Sequence, residues 1–234
     1  PPGAVKDCWF CPASPSFQRH LVLSVSEEVV ATLPRGGVDD SHVLLVPIFH
    51  IPATSSASPA TLTDLRKFID AFAKLAKTQN KWVLATERAI EIKGPAHAHV
   101  ALFAIPYSTA TPDDAPSAIV DLGKRSGLTF KPLQTTDSLI DVVQSDQYVS
   151  FELIPTTTPL PPTTPTKFVH KLVPGAGRHP MQLGREVACR LLRAPDKANW
   201  KDFVKTTEQE TEIANRVREA FAPFDFAAED SDVE

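Results

Sequence analysis

Cys8-Trp9-Phe10-Cys11 is the segment of this chain whose residue types and spacing most directly suggest chemistry. Two thiols separated by two residues sit on one tight turn, where both can reach a single ion. A tetrahedral zinc ion then needs two further soft or borderline ligands from elsewhere. Seven histidines are available. His50 closes the apolar run Val46-Pro47-Ile48-Phe49-His50, and His99 opens the run Val100 to Ile105. Residues at the ends of neighbouring strands are held rigidly, which suits ligation. The same two thiols could instead form a redox pair, or pack as buried thiols. A thioredoxin-like redox motif opens a helix, whereas Pro12 to Pro15 reads as a turn. Cys189, between Val187 and Leu191, reads as a buried thiol on the apolar side of a helix. Three cysteines are too few for a disulfide scaffold and favour a reducing compartment.

A second chemical feature is a run of cations. The segment from Lys167 to Lys205 carries nine Lys and Arg residues against Glu186, Asp196 and Asp202, although the whole chain has a net charge of −4. Arg178, His179, Gln182, Arg185, Arg190 and Arg193 gather around an expected helix start, just after Pro174-Gly175-Ala176-Gly177. A helix N-terminus attracts phosphate, and phosphate contacts of this kind give salt-dependent, largely sequence-independent affinity for RNA. The alternative is a solvated helix face, with Arg185 paired to Glu186 or to the acidic tail that follows Ala227. Trp9, Phe10, Trp82 and Trp200 read as core or loop packing rather than as platforms for bases. His20, His42 and His170 have no partner that the sequence reveals.

The elements that must position these residues can be read from periodicity. Leu21–Val25 and Val29–Leu33 form a hairpin, and His42–Ile48 is a buried strand. A helix is expected over Thr61–Lys77, where Leu62, Leu65, Phe68, Ile69, Phe72 and Leu75 recur at helical spacing, with Thr61 or Thr63 as N-cap. Trp82–Thr86 and His99–Ile105 are strands. Pro106–Pro116 is a boundary or long connection, Ala115–Gly123 a helix stopped by its glycine, and Tyr148–Ile154 a strand. Thr156–Thr166 is an exposed Pro/Thr loop, and Met181–Leu192 and Thr206–Phe221 are helices. The composition, 42% apolar and 22% charged, is that of a globular domain, and no run is long and apolar enough to span a membrane. Pro1-Pro2-Gly3 without an initiating Met suggests a fragment or processed product.

The order Cys8-x-x-Cys11, hairpin, Pro47-Ile48-x-His50 strand, long helix and His-led strand resembles the HIT superfamily of nucleotide hydrolases and transferases. Within it, Cys8-Trp-Phe-Cys11-Pro-Ala-Ser-Pro15, His20-Leu-Val and His42-Val-Leu-Leu-Val-Pro-Ile-x-His50 resemble the CwfJ family of splicing proteins. So do Gln182-Leu-Gly-Arg-Glu186 and Pro195-Asp-Lys-x-x-Trp200. The resemblance runs from about residue 7 to Phe226. It implies an α+β fold with a HIT-like antiparallel sheet and long helix over residues 1–115. A smaller α+β extension over 116–234 is then packed on it. It implies structural Zn²⁺ held by Cys8, Cys11, His50 and His99, with His99 chosen over His97 because it lies seven residues before Pro106.

In that register the second and third positions of the His-x-His-x-His motif are Ala101 and Phe103, which cannot attack a phosphate. The resemblance then implies a non-catalytic nuclear module for intron-lariat handling. Its partners would be branched or single-stranded intron RNA, the lariat-debranching enzyme and spliceosomal proteins, with no membrane. In the other register His97 is the ligand and His99 a nucleophile, which implies a nucleotidyl hydrolase or nuclease. A protein-only scaffold is the third reading.

Overall fold

The fold is taken from a computed structural model that describes residues 8–90, 96–133, 137–144, 147–157, 160, 165–172 and 180–229. Eight strands, β1 (Val22–Val25), β2 (Val29–Thr32), β3 (Val43–Pro47), β4 (Lys81–Ala89), β5 (Val100–Pro106), β6 (Lys131–Leu133), β7 (Tyr148–Ile154) and β8 (Lys167–Lys171), form one sheet. Its order is β1-β2-β3-β5-β4-β7-β8-β6, and every recorded pairing is antiparallel. The helices are α1 (Pro59–Thr78), α2 (Ala115–Arg125), α3 (Leu139–Val143), α4 (Leu183–Leu191), α5 (Thr207–Phe221) and α6 (Phe226–Glu229). The α+β class expected from the sequence is therefore the class observed.

Period-2 alternation sends the two faces of the central strands to different cores. Val83 and Ala85 of β4, with Leu102 and Ala104 of β5, pack against Leu65, Phe68, Ile69 and Phe72 of α1 and Val217 and Phe221 of α5. Trp82 and Leu84, with Phe103 and Ile105, pack on the other face against Ile119 of α2 and Leu183, Val187 and Leu191 of α4. Strands covered on both faces must be apolar throughout, which is why β3 is buried at all five positions. Trp82 is fully buried, and its Nε1–H donates to Ala110 O at 2.8 Å.

The long helix starts two residues before its expected N-terminus. Ser58 is the cap, its side chain accepting the Thr61 N–H at 3.0 Å, with Pro59 at the first helical position. Gly123 does not stop α2, which continues to Arg125; a Cβ on Gly123 would lie 2.7 Å from Phe130, so the glycine serves close packing. Strands β6 and β8 and helix α3 were not legible in the sequence. Part of the Pro/Thr loop (158–159 and 161–164) and the end of the acidic tail (230–234) lie outside the described residues.

Candidate metal centre and the face beside it

The turn that carries the two cysteines is closed by backbone hydrogen bonds, Ser14 N–H to Cys11 O at 2.8 Å and Phe17 N–H to Ser14 O at 3.1 Å. His50 follows β3, and the segment ahead of β5 is tied to it by Ala98 N–H donating to Ile51 O at 2.7 Å. That one bond sets residues 97–98 beside residues 50–51. The His50 and His97 rings are accordingly 4.6 Å apart.

Cys8, Cys11, His50 and His97 converge, with one donor atom from each within 4.8 Å of all the others. Cys8 Sγ is 3.4 Å from His97 Nδ1, and Cys11 Sγ is 3.1 Å from His50 Nδ1 and 3.5 Å from His97 Nδ1. Zn–S bonds near 2.3 Å and Zn–N bonds near 2.0–2.1 Å at tetrahedral angles place S and N about 3.6 Å apart. The donor set and its spacing therefore fit such an ion. His97 Nε2–H donates to Pro47 O at 2.8 Å, which turns the Nδ1 lone pair toward the thiols. Ligating histidines are ordinarily oriented by a partner of this kind. Burial pushes the Cys8 thiol pKa up and that of His97 down to about 4. A dication would offset the first effect by favouring thiolate, and a neutral His97 is the form that ligates.

His99, expected as the fourth ligand, is not a member of this group. Both histidines lie on an extended segment two residues apart and project to one side, so only one can occupy the corner. The Ala98–Ile51 bond gives that corner to His97. His99 stands beside it, its Nδ1–H donating to His97 O at 3.1 Å and its ring stacked on Phe10 at 4.7 Å and 27°. Burial lowers its pKa, and the Arg88 charge acts in the same direction.

The described members of the expected RNA-contacting set differ in exposure, Arg185 buried and Arg190 and Arg193 exposed. Arg178 and His179 lie outside the described residues. Gln182 is the residue before α4 and makes no side-chain cap; its Oε1 is buried without a hydrogen-bond partner among the described residues. Arg185 is 8% exposed, and among the described residues no ion pair joins it to Glu186 or to the start of the tail. Its Nε–H donates to Lys197 O at 2.7 Å and its Nη1–H to Gly36 O at 2.8 Å. Buried carbonyls demand donors, and here a guanidinium bridges two loops through them. Arg190 is exposed and pairs with Asp121 at 3.2 Å, and Arg193 is exposed with a φ of 55°.

Other outcomes were not legible. Trp9, expected to pack, is 61% exposed, whereas Trp82 is in the core as expected. His20 Nε2 meets Glu210 Oε2 at 2.8 Å across 190 residues. Arg88 continues the Trp82-Leu84-Thr86 side of β4, and its Nε is buried with no hydrogen-bond partner among the described residues. A cation extending an apolar stripe at period two was the signal that could have found it. No described helix is long and apolar enough to cross a membrane.

Comparison with known proteins places the chain beside one family of relatives. Residues 3–117 match the family described as "Protein similar to CwfJ C-terminal", and residues 112–227 the family described as "Protein similar to CwfJ C-terminus 2". The chain is 28% identical over 226 residues to the CWF19-like protein 1 of Homo sapiens, an alignment covering 95% of the chain and 39% of that protein. It is 28% identical over 222 residues to the CWF19-like protein 1 homolog of Drosophila melanogaster, covering 94% of the chain and 37% of that protein. To the zinc finger CCCH domain-containing protein 64 of Arabidopsis thaliana it is 30% identical over 226 residues, covering 94% and 36% respectively. The chain thus spans about two fifths of the length of these relatives.

Proposed function

The chain belongs to the CwfJ C-terminal family, and from that premise we propose that it is a zinc-held RNA- and protein-binding module of pre-mRNA splicing. Its place is in the nucleus, in the handling of excised intron lariats. Its partners are branched or single-stranded intron RNA, the lariat-debranching enzyme and spliceosomal proteins. The observation that carries this reading is the closed donor set of Cys8, Cys11, His50 and His97. Four protein ligands leave no position for water, which is the pattern of a structural rather than a catalytic zinc. Arg190 and Arg193, both exposed, supply phosphate contacts, whereas Arg185 acts from inside by fixing α4 to its neighbours.

Elemental analysis of the wild type, His97→Ala and His99→Ala, paired with titration of a labelled intron RNA, tests it. One zinc per chain, lost with His97→Ala and kept with His99→Ala, together with salt-dependent RNA binding, is the expected result. Absence of zinc from the wild type, or RNA affinity indistinguishable from that of an unrelated acidic protein, would refute it.

A second reading is supported by one specific contact. With His97 as the metal ligand, the middle position of the His-x-His-x-His pattern falls on His99 and the third on Ala101. The His99 Nδ1–H bond to His97 O leaves the Nε2 lone pair available. In a nucleotidyl hydrolase that nitrogen would attack phosphorus, forming a P–N bond as the P–O bond to the leaving group breaks, before water cleaves the P–N bond. Ala101 supplies neither acid nor phosphate donor, which favours the binding module. Incubation with an α-phosphate-labelled dinucleotide separates the two: acid-labile label retained by the wild type and lost in His99→Ala would establish the enzyme.

A further inference from the structure

The cluster end of the sheet presents aromatic surface to solvent. Trp9 is 61% exposed and Phe49 is 42% exposed. Trp9 lies between Cys8 and Cys11 in sequence, and Phe49 precedes His50, so each is flanked by side chains that converge in the cluster. Exposed indole and phenyl faces held on a rigid turn are unusual for residues that ordinarily dominate cores. Phe10, next to Trp9, turns inward and stacks on His99.

On the adjoining strand the same end carries a half-buried cation, Arg88. Glu87 pairs with Val100 in the β4–β5 register, which sets Arg88 level with His99. Arg88 Nε is buried and has no hydrogen-bond partner among the described residues. Burial lowers its pKa, and no described carboxylate acts on it. A half-buried guanidinium with a donor that meets no partner among the described residues gains from an anion brought to it. Exposed aromatic faces and a guanidinium at one end of the sheet fit a nucleotide with its base unstacked, because such bases stack on aromatics while arginine takes the phosphate. A base inside a duplex offers no free face to an indole.

We propose that this end of the sheet is a clamp for single-stranded RNA, in which Trp9 stacks on an unpaired base and Arg88 takes an adjoining phosphate. The clamp rests on the RNA-binding reading above and names the RNA feature that reading leaves open.

The test is an anisotropy titration of the metal-loaded chain with a fluorescein-labelled single-stranded decaribonucleotide, alongside the same strand annealed to its complement. Wild type, Trp9→Ala and Arg88→Gln are compared, with metal content and thermal midpoint measured on each. The expected result is single strand bound in preference to duplex, with affinity reduced roughly tenfold or more in Trp9→Ala at unchanged metal content and midpoint. Arg88→Gln should weaken binding as well and flatten its salt dependence by about one phosphate. If Arg88→Gln unfolds the chain, Trp9→Ala decides alone, since removing an exposed side chain leaves the core intact. RNA binding equal in all three proteins overturns the clamp while leaving the RNA-binding reading standing. No binding by the wild type overturns both. Loss in Trp9→Ala of binding to the debranching enzyme, with RNA affinity unchanged, assigns the aromatic face to a protein and also overturns the clamp.

Discussion

The Nε2–H of His97 donates to the carbonyl oxygen of Pro47 at 2.8 Å, and this bond decides which nitrogen of His97 faces Cys8 and Cys11. Because Pro47 is the last residue of β3, the corner where the four donors meet is anchored to a fully buried strand. The cluster is thereby part of the fold rather than an attachment to it.

Metal binding at such a site is folding energy. Cys8→Ala or Cys11→Ala should therefore abolish cooperative unfolding of the part built on β1–β5, and a strong chelator should do the same to the wild type. Circular dichroism melts with zinc titrated back would register this. Normal melting of both mutants would count against a structural ion.

Stability should fall in acid because of His42. It is 5% exposed, its ring 4.1 Å from Phe103 and its Nδ1 accepting the Val38 N–H at 3.4 Å. Burial first, then the charges of Arg185 and His99, lowers its pKa from 6.5 to about 3. The unfolded chain takes up a proton near pH 6.5 that the folded chain refuses until about pH 3. The contribution of neutral His42 is thus complete above pH 6.5 and is lost on acidification through that window, at up to about 1.4 kcal/mol per pH unit. Urea midpoints between pH 7 and 4 should drop more steeply for the wild type than for His42→Phe. Parallel slopes would show that His42 is not responsible.

Arg185 should be a stability residue and not an RNA residue. Truncation to Ala strips the buried Gly36 carbonyl and the half-buried Lys197 carbonyl of their donors, at a cost of about 1–3 kcal/mol for the buried one. Gly36→Ala should be comparably harmful, since Gly36 has a φ of +62° and an added Cβ would sit 2.2 Å from the Trp200 carbonyl oxygen. Thermal denaturation should show both losses, while the folded fraction of Arg185→Ala retains wild-type RNA affinity.

Tyr148→Phe removes the hydroxyl that donates to Glu87 Oε2 at 2.7 Å, leaving the Thr54 N–H at 2.8 Å and the Thr54 hydroxyl as donors to that carboxyl group. Burial raises the Glu87 pKa, so its folded-state carboxyl holds a proton above its unfolded value of 4.5. The destabilisation caused by its ionisation is absent below that value and grows as pH rises. The variant should lose about 1–3 kcal/mol at neutral pH and less near pH 4.5, measurable by urea denaturation at the two pH values.

The hairpin, α1 and the central strands were readable because each repeats its pattern over enough residues to exclude alternatives. Strand β6, with three residues, and helix α3, with five, are too short to carry a period. The two cysteines and His50 were identified from spacing and strand ends, yet His97 and His99 share a face and no local pattern separates them. The deciding contact, Ala98 to Ile51, joins positions far apart in sequence. Arg185 misled for a related reason. A cation beside a helix start reads as surface, and the carbonyls that bury it belong to residues 12 and 149 positions away.

Seven residue pairs join β4 to β7, across the point where one family match gives way to the other. A chain severed near residue 115 would leave β4 as a long apolar edge, open to pairing with any other strand in the cell. Splitting these two segments by recombination, alternative exon use or proteolysis would therefore yield aggregation rather than two working halves.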